Sequence, residues 1–146
     1  MKDKKTSELL DILNSIDDTT KLNTYINETK TAFNNLDFCT YFENILHEKK
    51  LKKSKIIDDS NLDRTYAYQI LSGKKKPSRD KILQLCIAAK LSLEEIQRIL
   101  TLGNVGQLYA KDSRDSAIIF AIKKKLNVTT TNHLLSDLNF DLLGDC

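Results

Sequence analysis

Side chains suited to holding a charged partner crowd into one part of this 146-residue chain. Positions 49–81 carry 11 basic and 4 acidic residues, a surplus of +7, in a chain whose net charge is only +3. Residues 1–37 are at −2 and residues 101–146 are neutral. Such a concentration points to a local anionic partner; a solvated lysine-rich face would account for the charge alone equally well. Within this stretch the apolar spacing predicts a helix at about 63–71 that buries Ala67, Ile70 and Leu71. Arg64, Thr65, Tyr68 and Gln69 are then left on the opposite face, and Tyr66 is expected against a neighbouring helix.

Other chemistries find little support. Cys39, Cys86 and Cys146 are odd in number, widely spaced and without a CxxC pair, so neither a disulfide framework nor a zinc site is expected. Cys86 falls on an apolar stripe and reads as a buried thiol. His47 and His133 have no Cys or carboxylate at ligand spacing. Asp17-Asp18 and Asp58-Asp59 are sequence neighbours whose side chains splay apart, and Arg114-Asp115 reads as a helix cap with a local ion pair. There is no glycine-rich nucleotide loop, HExxH or nucleophile elbow. We therefore expect no enzymatic activity, cofactor or metal.

The elements that must position these residues read as all-α. One Pro and four Gly leave few breaks, and no apolar run approaches the roughly 20 residues that span a bilayer. The basic start is followed by an acidic amphipathic stretch instead of a signal-peptide core, so a cytoplasmic protein without membrane contact is expected. Leu9, Leu10, Leu13 and Ile16, then Leu22, Tyr25, Ile26, Thr29 and Phe33, mark two N-terminal helices over 1–36. Five short helices follow in 37–102. The first carries Phe38, Tyr41, Phe42, Ile45 and Leu46; the second runs about 54–59 on Ile56 and Ile57. Asn61 supplies a left-handed turn residue, Leu62 plugs the core, and Asp63 caps the 63–71 helix, which Gly73 ends. Pro77-Ser78 opens a helix with Ile82, Leu85, Cys86 and Ala89, and Ser92 with Glu95 forms a capping box before Leu93, Ile96, Ile99 and Leu100. Tyr109 is expected to anchor the loop that follows. Residues 103–146 then hold helices at about 115–126 and 129–138; Ile118–Ile122 is the best strand candidate but has helical flanks. No internal repeat is evident.

The run from Leu51 to Asp80, and above all Ile70-Leu71-Ser72-Gly73-Lys74-Lys75-Lys76-Pro77-Ser78, resembles the lambda-repressor-like (Xre/Cro) helix-turn-helix family. The resemblance covers about residues 38–100 and implies a five-helix DNA-binding domain with flanking helices. The helix at 63–71 would enter the major groove, with Arg64, Thr65, Tyr68 and Gln69 at base edges. Lys53, Lys55, Lys74, Lys75, Lys76 and Arg79 would meet phosphates. Three positions depart from the family pattern: Lys53 stands where Gln is frequent, Ile57 where a small residue is common, and Asn61 where the turn usually has Gly. Two functions follow from these features. One is a sequence-specific transcriptional regulator that binds double-stranded DNA as a homodimer. The other is an adaptor of the same fold, antitoxin-like or enzyme-regulating, which meets a protein partner through its flanking helices.

Overall fold

The structure, a computed structural model, describes residues 10, 11, 13–15, 19–23 and 37–144. The chain divides into two compact units, Met1–Asp37 and Phe38–Cys146. In the first, positions 10, 11, 13, 14 and 19–23 are helical, and Leu10, Leu13 and Leu22 are exposed. Leu9, Ile16, Tyr25, Ile26, Thr29 and Phe33 of the expected N-terminal stripes lie outside the described residues, as does Cys146.

The second unit consists of α1 (Phe38–Glu48), α2 (Lys53–Asp59), α3 (Arg64–Leu71), α4 (Arg79–Ala88), α5 (Leu93–Leu102), α6 (Ser113–Lys123) and α7 (Val128–Asp137). Among the described residues there is no strand, and Ile118–Ile122 lies inside α6. No helix among them is long and apolar enough to cross a membrane. Helix α4 is the central rod: every residue from Ile82 to Ala89 is buried, and α2, α5 and α7 pack around it. Apart from Gln84, whose Nε2 donates to the Ser60 carbonyl at 3.1 Å, this stretch is apolar on every side and has no solvent face to present.

The local signals act as expected. Asp63 caps α3 by accepting from the Tyr66 N–H at 3.0 Å. Ser92 and Glu95 form the reciprocal box on α5. Asn61 is left-handed at φ 63°, and its Nδ2 donates to Thr129 Oγ1 at 3.2 Å, tying the α2–α3 turn to α7. Asn61→Ala should therefore lose that bond and incur the left-handed penalty of about 1–2 kcal/mol. Asn61→Gly should lose less, and paired thermal melts distinguish the two.

One expectation is overturned, because residues 79–108 and 114–143 are an internal repeat offset by 35 positions. Both copies open on Arg-Asp (Arg79-Asp80, Arg114-Asp115) and link their helices through Lys-Leu (Lys90-Leu91, Lys125-Leu126). The structure shows the equivalence at atomic detail. Lys90 and Lys125 are left-handed at φ 56° and 57°, as are Asn104 and Asn139 at 57° and 63°. After each of these four residues the next N–H reaches back to the helix, as from Leu91 to Cys86 O at 3.3 Å and from Leu126 to Ala121 O at 3.1 Å. The Gln97 amide brackets the Leu108 backbone, accepting from its N–H at 2.8 Å and donating to its carbonyl at 2.9 Å. Asn132 brackets Leu143 in the same way at 2.8 and 3.4 Å.

The two copies close into a ring in which α4, α5, α6 and α7 each pack on the next and α7 returns to α4. Reciprocal side-chain contacts join α4 to α6 across this ring. At the N-terminal ends Arg79 pairs with Asp115, and Arg114 with Asp80. At the C-terminal ends Lys90 Nζ donates to the Lys125 carbonyl at 2.6 Å, and Lys125 Nζ to the Lys90 carbonyl at 2.9 Å. Exchange of this kind is what an approximate two-fold axis produces. It also corrects the expected local pair: Arg114 and Asp115 bind opposite partners on α4, and the cap of α6 is Asp112. The loop before α6 is anchored by buried Leu108 and by the Tyr109 N–H on Asp115, whereas the Tyr109 residue is 59% exposed.

Candidate nucleic-acid interface

Helix α3 is two-faced for a simple reason. Ala67, Ile70 and Leu71 recur at helical spacing and are buried, so the residues between them are turned outward. Tyr66 lies half-buried against the core, as its spacing suggested. The helix is fixed at its start by the Asp63 cap and at its end by Gly73, whose φ of 85° suits a residue without Cβ. Beyond Gly73 the chain folds back, and the N–H groups of Lys74 and Lys75 both donate to the Gln69 carbonyl, at 2.9 and 3.2 Å.

On the outer side lies an open hollow of about 520 Å³ lined by Lys53, Thr65, Tyr68, Gln69, Ser72 and Lys74. Three of the four side chains expected to touch bases therefore meet two of the expected phosphate contacts in one depression. Ser72, which sequence reading did not single out, joins them one turn beyond Tyr68; its spacing was the available signal. Arg64 is exposed on the same helix, but its Nη1 donates to Asp58 Oδ1 at 2.9 Å, and its guanidinium lies 5.5 Å from the Tyr68 ring centroid.

The expected phosphate contacts fall into three groups. Lys74, Lys75 and Lys76 are exposed and, among the described residues, form no ion pair. Lys53 pairs with Glu43 of α1, and Lys55 with Asp59 one turn along α2 at 3.3 Å. Arg79 is set apart: it donates to both Asp115 oxygens at 2.7 and 2.8 Å and to the Gln107 carbonyl at 3.4 Å. Its guanidinium is thus engaged in the joint between α4 and α6. Nothing local to Lys53 or Arg79 signals Glu43 or Asp115, because those partners come from distant helices.

Compared with known proteins, the chain matches no family model, no curated protein and no solved structure. The site must be judged on its own chemistry.

Elsewhere the surface offers less. A hollow of about 540 Å³ on α5 is lined by Leu93, Glu94, Gln97, Arg98, Thr101 and Gln107. Its Gln97 and Gln107 amides are occupied by the α5–α6 connection, and its one cation, Arg98, stacks 5.5 Å from the Tyr41 ring centroid. Among the described residues no group of His, Cys, Asp and Glu could hold a metal. Cys86 is buried and its thiol is pushed up by desolvation, which makes it a poor nucleophile. Cys39 donates to the Ile70 carbonyl at 3.3 Å.

Proposed function

We propose that the unit Phe38–Cys146 binds double-stranded DNA as a sequence-specific transcriptional regulator of the lambda-repressor-like helix-turn-helix kind. In this reading α2, the turn at 60–63 and α3 form the motif, within a five-helix module α1–α5 that α6 and α7 extend. The observation that carries the reading is the outer face of α3, where Thr65, Tyr68 and Gln69 share a hollow with Lys53 and Lys74. An α-helix about 10–12 Å across with its side chains fits a major groove about 12 Å wide. Gln69 has the paired amide chemistry that adenine takes, and Arg64 the fork that guanine takes. Lys74, Lys75 and Lys76, at the end of α3, meet phosphates and set the register without reading sequence. The regulator acts as a homodimer on two half-sites about one helical turn apart, 34–36 Å.

Two substitutions test this assignment. Arg64→Ala should relax sequence preference by roughly 5- to 150-fold, the worth of a bidentate base contact. Lys75→Ala should weaken binding to every duplex alike. If both variants bind preferred and scrambled duplexes as the parent does, α3 is not the reading helix.

A second reading, a protein-binding adaptor on the same fold, is favoured by one observation. Lys53, Lys55 and Arg64 are each neutralised by a carboxylate of the chain itself. An adaptor would leave duplex binding weak and insensitive to both substitutions above.

A further inference from the structure

We infer that Asp58 is a positioning residue for base reading: it holds the Arg64 guanidinium in place and gives up overall DNA affinity in exchange for discrimination. The inference rests on the DNA-binding reading and adds to it a residue from outside α3. Asp58 is the penultimate residue of α2, whereas Arg64 opens α3, so the contact spans the turn between the two helices. Asp58 Oδ1 accepts from Arg64 Nη1 at 2.9 Å, and the Tyr68 ring lies 5.5 Å from the guanidinium carbon. The arginine thereby meets a carboxylate of α2 and a ring of its own helix.

Neither contact exhausts the arginine. A guanidinium has five N–H donors, and the Asp58 contact leaves enough of them for a two-bond contact with a base. What the contact removes is rotamer freedom that the arginine would otherwise lose on meeting a base. The two neighbouring carboxylates have other tasks, since Asp59 pairs with Lys55 and Asp63 caps α3. Asp58 alone of the three is spent on a side chain that would read bases. The cost is electrostatic, because a carboxylate 65% exposed beside the arginine that would meet DNA repels a polyanion. An ion pair this open contributes little to folding, so Asp58 can be changed without loss of structure.

The test is a substitution cycle. The duplex preferred by the parent is selected from a randomised pool, and dissociation constants for it and for a scrambled duplex are measured at one salt concentration. The proteins are the parent, Asp58→Asn, Asp58→Glu, Arg64→Ala and the double variant Asp58→Asn/Arg64→Ala. Asp58→Asn should bind the scrambled duplex more tightly, while its ratio of preferred to scrambled affinity falls by about fivefold or more. Asp58→Glu keeps the charge and should restore most of the ratio. The double variant should show the ratio of Arg64→Ala alone, because Asp58 acts through Arg64. An unchanged scrambled-duplex affinity or a parental ratio in Asp58→Asn, or in the equally neutral Asp58→Ser should Asp58→Asn fail to fold, would overturn the inference. So would a further fall in ratio when Asp58→Asn is added to Arg64→Ala. A parent that prefers no duplex overturns the DNA-binding reading itself, a result visible before any variant is made.

Discussion

Asp115→Ala is expected to lower the unfolding free energy by about 3–5 kcal/mol, the range for breaking a buried ion pair from one side. Asp115 is 3% exposed, and its carboxylate accepts from Arg79 Nη2 at 2.7 Å, Arg79 Nη1 at 2.8 Å and the Tyr109 N–H at 2.9 Å. Alanine leaves the Arg79 guanidinium without its counter-ion and the Tyr109 N–H without its acceptor. Because the Arg79 side chain keeps 26% of its exposure, water relieves part of the loss and the lower end of the range is expected. Urea unfolding should show an earlier midpoint with an unchanged slope. A loss under about 1 kcal/mol would show that the joint between the two repeat copies is dispensable. The same carboxylate gives the fold an acid limit. Burial pushes the Asp115 carboxyl up, but the Arg79 guanidinium and the Tyr109 N–H outweigh it and hold the group below its ordinary value. Glu95 behaves alike: burial raises it, while Lys49 and the Ser92 N–H bring it below normal. A carboxyl depressed on folding contributes stability above its unfolded value of about 4, and that contribution is lost as pH falls through the folded value. Melting temperature should therefore drop below about pH 4, and Asp115→Asn should flatten that drop.

Ile57→Ala is expected to cost about 2–5 kcal/mol, and Ile57→Val only about 0.5–1.5 kcal/mol. The helix-turn-helix pattern favours a small residue at this position, so isoleucine reads from sequence as a source of crowding. In the structure this side chain is part of the core. Ile57 is 1% exposed within the cluster that includes Ile56, Ile70, Leu83 and Leu85. A small residue in this chain would leave a cavity between α2 and α4. If alanine proved neutral or stabilising, α2 would have to pack more loosely than it does here.

The contrast between Ile57 and Asn61 shows where sequence reasoning succeeded. Asn61, Asp63, Gly73 and the Ser92–Glu95 box act through bonds spanning a few residues, so their types and spacing announce them. The buried stripe of α3 was legible for the same reason, and with it the outward set Thr65, Tyr68 and Gln69. The repeat is faint in the sequence because what recurs is backbone geometry more than residue identity. Its left-handed positions are filled by Lys and Asn in place of Gly, and the bracketing amide is Gln97 in one copy and Asn132 in the other. Arg79 reads from sequence as an open cation because its partner Asp115 lies 36 residues away. Lys53 and Glu43 meet only once α1 and α2 are folded. Tertiary pairing of this kind decides how much of the basic segment is available to a partner, and charge counting along the chain cannot see it.

That availability makes salt dependence the most direct measurement of the central claim. The affinity of the full chain for a random duplex is measured between 50 and 200 mM salt, a window over which phosphate contacts reveal themselves by counter-ion release. Each neutralised phosphate contributes a slope of about −0.9 in log affinity against log salt. Lys74, Lys75 and Lys76, with or without Lys53 and Lys55, should give a slope of about −3 to −5 per protomer. Lys75→Ala should make it shallower by about one. An affinity that stays level as salt rises, or a slope untouched by Lys75→Ala, would contradict DNA binding through this face.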